Sequence, residues 1–282
     1  MTLRRQMVLL IAAPTLLIYV LILGVTTYFA YRESQQALQR DMTQLTSSYA
    51  AQFDGRLREA AQIAETTSRF METIGPLPDE KIYEQLERNV RQSSSVYGAC
   101  MAFEPGTIKP AGVLFAPYVH RSGDGVRRVN IDAIVYNWYR DPRYTWFSRP
   151  KSLGRGVWSD PYFDEGAGNI LMATYSAPFD LERSFGGVNT VDIDLPKLRE
   201  TVGSAFDPHL DFVILTQDGQ FVYDLDPSRI MAKTIFDVAA SIEDPAVIKR
   251  ILAHLDNRQG AGQHPEHPPR APPQLMLPGL LD

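Results

Sequence analysis

Between residues 139 and 192, aromatic rings alternate with carboxylates at positions that core packing does not require: Tyr139, Trp146, Tyr162, Asp164 and Asp192. Ring faces attract a cation and wall an apolar cavity, while carboxylates accept charge-assisted hydrogen bonds from an amine. Gathered from three segments by a curled sheet, these residues would form a pocket for a small cationic or zwitterionic ligand. They also read as core rings and turn-capping aspartates, and pattern alone leaves both readings open. Other chemistry is thinly represented. The chain has no nucleophile elbow, phosphate-cradling glycine loop or zinc helix motif. His264 and His267 have metal-like spacing but sit in a proline-rich stretch with no regular period, so no metal and no cofactor is expected. Asp224 and Asp226, just before Pro227, read as turn chemistry rather than a calcium loop.

The elements that must position the pocket follow from periodicity and charge. Met7 to Tyr31 carries no charged residue, which at about 1.5 Å per residue exceeds a bilayer core of roughly 30 Å. We read it as a transmembrane helix. A cleaved signal peptide is the alternative, but its apolar region usually runs only about 7–15 residues. Arg4 and Arg5 precede the span while Arg32 and Glu33 roughly cancel behind it, which places residues 1–6 in the cytoplasm and the bulk of the chain outside, in a single-pass inner- or plasma-membrane protein. Residues 32–75 then form one long stalk helix, with Leu38, Met42, Leu45, Tyr49, Phe53, Leu57, Ala60, Ala64, Thr67 and Met71 on one face. That face packs on its own domain, or in part on a second copy as a homodimer.

A further helix over about 79–94 opens with acidic residues. From Tyr97 the text becomes short β-rich runs separated by glycine and proline, with "SGDG" as a hairpin turn around Asp124-Gly125. The stretch from Tyr136 to Pro150 fits neither strand nor helix well, being interrupted by Pro142 and stopped by Pro150. An α+β domain over 76–205 results, an antiparallel sheet laid against the long helix. A smaller unit over 206–260 begins with two strands around Asp218-Gly219 and continues into a helix at "SIEDPAVIKRILAHL". Residues 261–282 are proline-rich and expected to be disordered. The net charge of −5, without a long Lys/Arg run, argues against nucleic acid as a partner. Cys100 is the only cysteine, so no intramolecular disulfide forms.

A membrane anchor, a long helix, a sheet domain and the start of a second resemble the extracellular double-Cache sensors of bacterial chemoreceptors, histidine kinases and serine phosphatases. The local likeness runs through "DPRYTWF", "WSDPYFDEGAGNILMATYSAPF" and "GGVNTVDIDL" and covers about residues 7–260, as in a C-terminally truncated member. The resemblance implies two PAS-like modules, the membrane-distal one binding a small molecule, and no catalytic activity in this chain. It also implies a site. Tyr139, Trp146, Tyr162, Asp164 and Asp192 match the family's ligand-gripping positions, the last three taking up an ammonium group. Phe147 stands where a second tyrosine is usual, and Tyr144 where a carboxylate-binding arginine belongs; Arg143 is one residue away. A phenol cannot reproduce the bidentate guanidinium fork, so an amine-like ligand is favoured over an α-amino acid. Two alternatives stand beside the sensor: a ligand-free dimerisation module, and an anchored enzyme using Asp164 and Asp192 as an acid/base pair.

Overall fold

The structure is a computed structural model and describes residues 3–132, 137–141, 144–166, 168–197, 212–216, 218–224, 226–240 and 275–278. The chain divides into two compact units, Met1–Ser48 and Tyr49–Asp282. The first consists of the opening part of helix α1 (Leu3–Ile74), with an exposed apolar surface from Leu10 to Tyr31. It is long and apolar enough to cross a membrane. Within it Thr15 and Thr26 donate back to the carbonyls of Ile11 and Ile22 at 2.6 and 2.8 Å.

The second unit is built on an antiparallel sheet. Its strands are β1 (Val96–Phe103), β2 (Pro117–Ser122), β3 (Gly125–Asn130), β4 (Val157–Trp158), β5 (Tyr162–Phe163), β6 (Leu171–Leu181) and β7 (Ser184–Asp194). They lie in the order β3-β2-β1-β7-β6-β4, and β5 shares the outer edge of β6 with β4. The SGDG turn forms one residue earlier than expected: Ser122 pairs with Gly125, and Gly123 takes the positive φ of 55° at the first turn position.

Each long strand is buried on both sides, and alternation sorts its residues between two cores. Ala99, Met101, Val119, Ala173, Tyr175, Val191 and Ile193 pack against the end of α1 (Phe53, Leu57, Ala60, Ala64, Met71) and against helix α2 (Asp79–Gln92) through Ile82, Leu86 and Val90. The stalk stripe is therefore half accounted for. From Phe53 onward it is covered by the sheet, whereas Leu38 and Leu45 are exposed.

Polar rungs fix the height of α1 on the sheet. Tyr175 donates to Glu65 at 2.6 Å, Ser68 donates to the Ala177 carbonyl at 2.9 Å, Asn189 donates to Ser68 at 3.1 Å, and the Asp180 amide reaches Glu72 at 3.3 Å. Residues 65, 68 and 72 on the helix thus meet 175, 177 and 180 on β6, the spacing at which a helix face and a strand stay in step. Asn89 ties α2 into the same seam by donating to Thr67 at 2.9 Å.

The stretch that read as neither strand nor helix forms a short helix, α3 (Thr145–Leu153), with Pro150 inside it. Trp146, Phe147 and Pro150 fall on one buried face, and Gly154, at a left-handed φ of 61°, closes the helix by donating to the Pro150 carbonyl. Beyond the sheet, β8 (Phe212–Leu215) and β9 (Phe221–Tyr223) pair around Asp218-Gly219 as expected, followed by a short helix α4 (Ile235–Ala240). Asp224 and Asp226 do turn work: they accept from the amides of Asp226 and Ser228 at 2.7 and 3.0 Å and face Arg229. The tail departs from expectation at four residues. Leu275–Pro278 forms a strand, β10, on the open edge of β8, with the proline at its last position, where a missing N–H is tolerated. The helix expected at 241–255 lies outside the described residues.

The β6–β7 hairpin carries local strain. Its two-residue loop puts Glu182 and Arg183 at φ values of 50° and 70°, where side chains with a Cβ are disfavoured. Replacing the pair by Asn-Gly (Glu182→Asn with Arg183→Gly) is expected to raise stability by about 1 kcal/mol, read as a higher midpoint in thermal or urea unfolding. An unchanged or lower midpoint would show that the turn is relaxed.

Candidate functional site

The face of the sheet turned away from α1 is where polar residues gather. Register sets two rows across the strands: His120, Gly98, Asp192 and Thr174 in one, and Tyr118, Cys100, Thr190 and Ser176 in the next. From these rows Asp192, Thr174, Tyr118, Cys100 and Thr190 floor a cavity. Trp146 enters from α3, Tyr162 from β5 and Asp164 from the turn after it, with Ile131 and Met172 supplying apolar wall. The gap at Gly98 is filled from the next strand: a Cβ there would lie 2.3 Å from the Tyr118 hydroxyl. The cavity is tight, with about 10 Å³ open to the centre of a water molecule, roughly a single water.

A directed hydrogen-bond chain ends at the central carboxylate. Thr174 donates to Asp192 Oδ1 at 2.7 Å, and the Tyr162 phenol lies 2.8 Å from Thr174 Oγ1. Because the threonine proton points to the carboxylate, the tyrosine is the donor in the outer link. Asp164 is held by its own turn: it accepts from the Gly168 amide, and its backbone pairs with Ile170 and Asn169 at 2.9 and 2.8 Å. Two polar groups in the wall have no hydrogen-bond partner among the described residues, the Trp146 indole N–H and the Tyr118 hydroxyl. Tyr118 lies within electrostatic reach of Asp192 without hydrogen-bond alignment.

Burial dominates the electrostatics. Loss of solvent raises Asp192 from an ordinary 3.8 to about 7, the nearby Asp164 charge pushes the same way, and the Thr174 hydrogen bond opposes both. Burial, reinforced by Asp192, also lifts the Tyr118 and Tyr162 phenols and the Cys100 thiol well above their usual ranges. All three stay protonated at neutral pH. Among the described residues, nothing lining the cavity is cationic.

Four of the residues singled out from sequence, Trp146, Tyr162, Asp164 and Asp192, line this one cavity, and three do not. Phe147 packs inside the aromatic cluster, 4.7 Å from Trp138 and 5.8 Å from Phe185 between ring centres. Tyr139 turns to the opposite end of α3, donating to Glu104 at 2.6 Å beneath Lys151. Tyr144 precedes the first turn of α3 and packs against that cluster. For Phe147 the physical reason is the helix, where consecutive side chains diverge by about 100° and Trp146 and Phe147 cannot both face the cavity, whereas Tyr139 and Tyr144 lie in the turn and at the cap before it. Arg143 lies outside the described residues. Trp138 is the hub of the cluster behind Trp146, its indole donating to the Ile131 carbonyl at 2.8 Å. Tyr118, Thr174 and Thr190 were not anticipated. Their signal was the two-residue spacing from Asp192 and its strand partners, readable only once pairing is known.

Residues 82–200 match the family described as methyl-accepting chemotaxis protein-like, first PDC sensor domain. Among solved structures, the extracellular domain of soHK1S-Z6, assigned to a histidine kinase, is 30% identical with a TM-score of 0.64, covering 75% of this chain and 81% of that one. A second such domain, from mmHK1S-Z3, is 22% identical with a TM-score of 0.59 over 70% and 74%. The ligand-binding domain of the amino acid chemoreceptor PctB of Pseudomonas aeruginosa PAO1, in complex with L-Arg, shares the fold at 18% identity and a TM-score of 0.53 over 71% and 76%. No curated protein sequence matches the chain significantly. The chain belongs to the family of extracellular PDC, or Cache, sensor domains that serve histidine kinases and chemoreceptors. These are ligand-binding domains without catalytic activity, and the reading of Asp164 and Asp192 as an enzymatic acid/base pair falls away.

The raised Asp192 has a consequence for stability. Between its ordinary pKa and about 7 the folded chain holds a proton that the unfolded chain releases, so this stability is present at low pH and lost as pH rises through 7. Asp192→Asn removes the linkage. It is expected to raise stability by on the order of 3 kcal/mol more at pH 8 than at pH 5, measured as the difference in unfolding midpoints. A variant that loses stability equally at both pH values would place the ionised carboxylate in a favourable environment.

Proposed function

We propose that the chain is a membrane-anchored extracytoplasmic sensor whose central cavity takes a small ligand with a cationic, amine-like group. One observation carries the reading: Asp192, a carboxylate buried at the floor, faces a cavity lined by aromatic and hydroxyl groups together with a second carboxylate, Asp164. An ammonium group there would relieve the desolvation that raises Asp192, drawing affinity from a cost built into the empty site. The unpartnered Trp146 indole N–H and Tyr118 hydroxyl would bind an acceptor on the same molecule. The amino acid named with PctB belongs to that protein. Here Tyr144 stands where the resemblance implies a carboxylate-binding arginine, which favours an amine over an α-amino acid.

The charge-free run of α1, preceded by Arg4 and Arg5, would anchor the sensor with its N-terminus in the cytoplasm of a single-pass inner- or plasma-membrane protein. Output would pass through α1, which the polar rungs hold in step with β6, and exposed Leu38 and Leu45 would meet a second copy in a homodimer. The domain plan that goes with this reading is an anchor over 7–31, a stalk over 32–75, a distal ligand-binding module over 76–205 and a partial proximal module over 206–260. A second reading, a ligand-free structural module, is favoured by the tightness of the cavity; under it no ligand opens the site.

Thermal-shift screening of the full chain in detergent against amines, amino acids and small carboxylates separates these readings. The sensor reading expects an amine to raise the midpoint, with the shift abolished by Asp192→Ala and weakened by Asp164→Ala and Trp146→Ala. Because the ammonium needs an ionised Asp192, affinity is expected to fall about tenfold per pH unit below pH 7. A shift that survives all three substitutions places the ligand elsewhere, and the absence of any shift favours the structural module.

A further inference from the structure

The geometry points to a second binding site, for a small monocarboxylate bearing a hydrogen-bond donor, in a cavity at the start of β1 and the end of β7. This cavity leaves about 220 Å³ open to water centres, far more than the central pocket, and is bordered by Ser94, Ser95, Tyr97, Arg121, Asp194 and Lys197. Arg121 is its fixed point. Nε donates to the Val96 carbonyl at 2.8 Å, and Nη2 to those of Val90 and Ser93 at 2.7 and 2.9 Å. The guanidinium therefore closes the C-terminal end of α2, where a cation suits the helix dipole. Its Nη1 makes no hydrogen bond among the described residues, and no carboxylate there pairs with the group. An arginine pinned by one edge presents the other without further loss of side-chain freedom, which favours binding a carboxylate oxygen there.

The rest of the lining sets ligand class. Lys197 adds a second positive charge and Asp194 one negative charge, so the formal balance selects a monoanion. Asp194 accepts from the Lys197 amide at 2.8 Å through one oxygen. Its other acceptor positions suit a hydroxyl or ammonium beside the ligand's carboxylate. Ser95 is oriented by Arg56 of α1, which donates to its hydroxyl oxygen at 3.3 Å. A hydrogen-bond path links the two cavities. The Tyr97 hydroxyl lies 3.2 Å from His120 Nδ1 and donates at 3.0 Å to the carbonyl of Gly168, whose amide is held by Asp164 of the central site.

Calorimetric titration of the full chain in detergent, at constant ionic strength, with glycolate, glycine and acetate tests the assignment. Glycolate or glycine is expected to bind saturably, identifying a hydroxy acid or an amino acid class respectively, with acetate at least tenfold weaker for lack of a donor. Arg121→Gln and Lys197→Gln are each expected to weaken that binding about tenfold. Lys197 is exposed, so its variant stays informative where loss of the α2 cap unfolds the first. Absence of saturable binding, acetate binding as tightly as the other two, or an affinity that Lys197→Gln leaves unchanged would overturn the proposal.

Discussion

Everything in the sensor module depends on the two-residue alternation of β7, a central strand buried on both faces. Asn189, Val191 and Ile193 point to α1 and α2, while Val188, Thr190 and Asp192 point to the aromatic cluster and the cavity. A strand in this position ordinarily reads as a continuous apolar run. Here polar residues interrupt the run on both faces, and each has its cost offset locally or leaves it standing. On the helix face Asn189 donates to Ser68 while its Oδ1 has no hydrogen-bond partner among the described residues; on the cavity face Asp192 receives Thr174, and what remains uncompensated there is the charge of Asp192 itself.

That residual charge separates a site from a core. Two carboxylates in one closed space repel each other and lack solvent, and a neutral core of the same shape would be more stable. Strained or unsatisfied groups of this kind persist where the rest of the structure over-determines them. The over-determination is visible: the Trp138–Trp146–Phe147 cluster closes one side, the Asp164 turn another, and Tyr118 lies over Gly98 beneath. A relaxed alternative is closed off on three sides.

Much of this was legible in the sequence, and the failures are instructive. The charge-free run, the stalk stripe and the β-rich runs each carry a single period, so their element types follow directly. Asp164 and Asp192 stood out because carboxylates are rarely left inside an apolar pattern. Phe147 lies off the cavity because it sits on α3, a helix that contains a proline and opens without a side-chain cap, which hides it from local rules, and Tyr139 and Tyr144 lie in the turn and at the cap before it. Packing decides there: burying Trp146, Phe147 and Pro150 together outweighs a poor local preference. Thr174 and Tyr118 were invisible for a different reason. They reach Asp192 only across strand pairs, a relation that spacing along one chain does not encode.

The same pairing explains how occupancy of a cavity on one face could be felt by a helix on the other. Thr174 faces Asp192, and its neighbours on β6, Tyr175 and Ala177, carry the rungs to Glu65 and Ser68. Apolar contacts let a helix slide by a fraction of a turn at little cost, since one methyl group replaces another. Hydrogen bonds with buried partners do not, because each broken rung strands a polar group away from water. Ser68 is nearly fully buried and sits between the Ala177 carbonyl and the Asn189 amide, so α1 has discrete seats on β6 and β7 instead of a continuum. A ligand that draws Asp192 and Thr174 toward itself acts on the strands that bear those seats. Transmission then requires only that the two seatings bind the ligand with different affinity, a condition that a shift of β6 relative to β7 would meet.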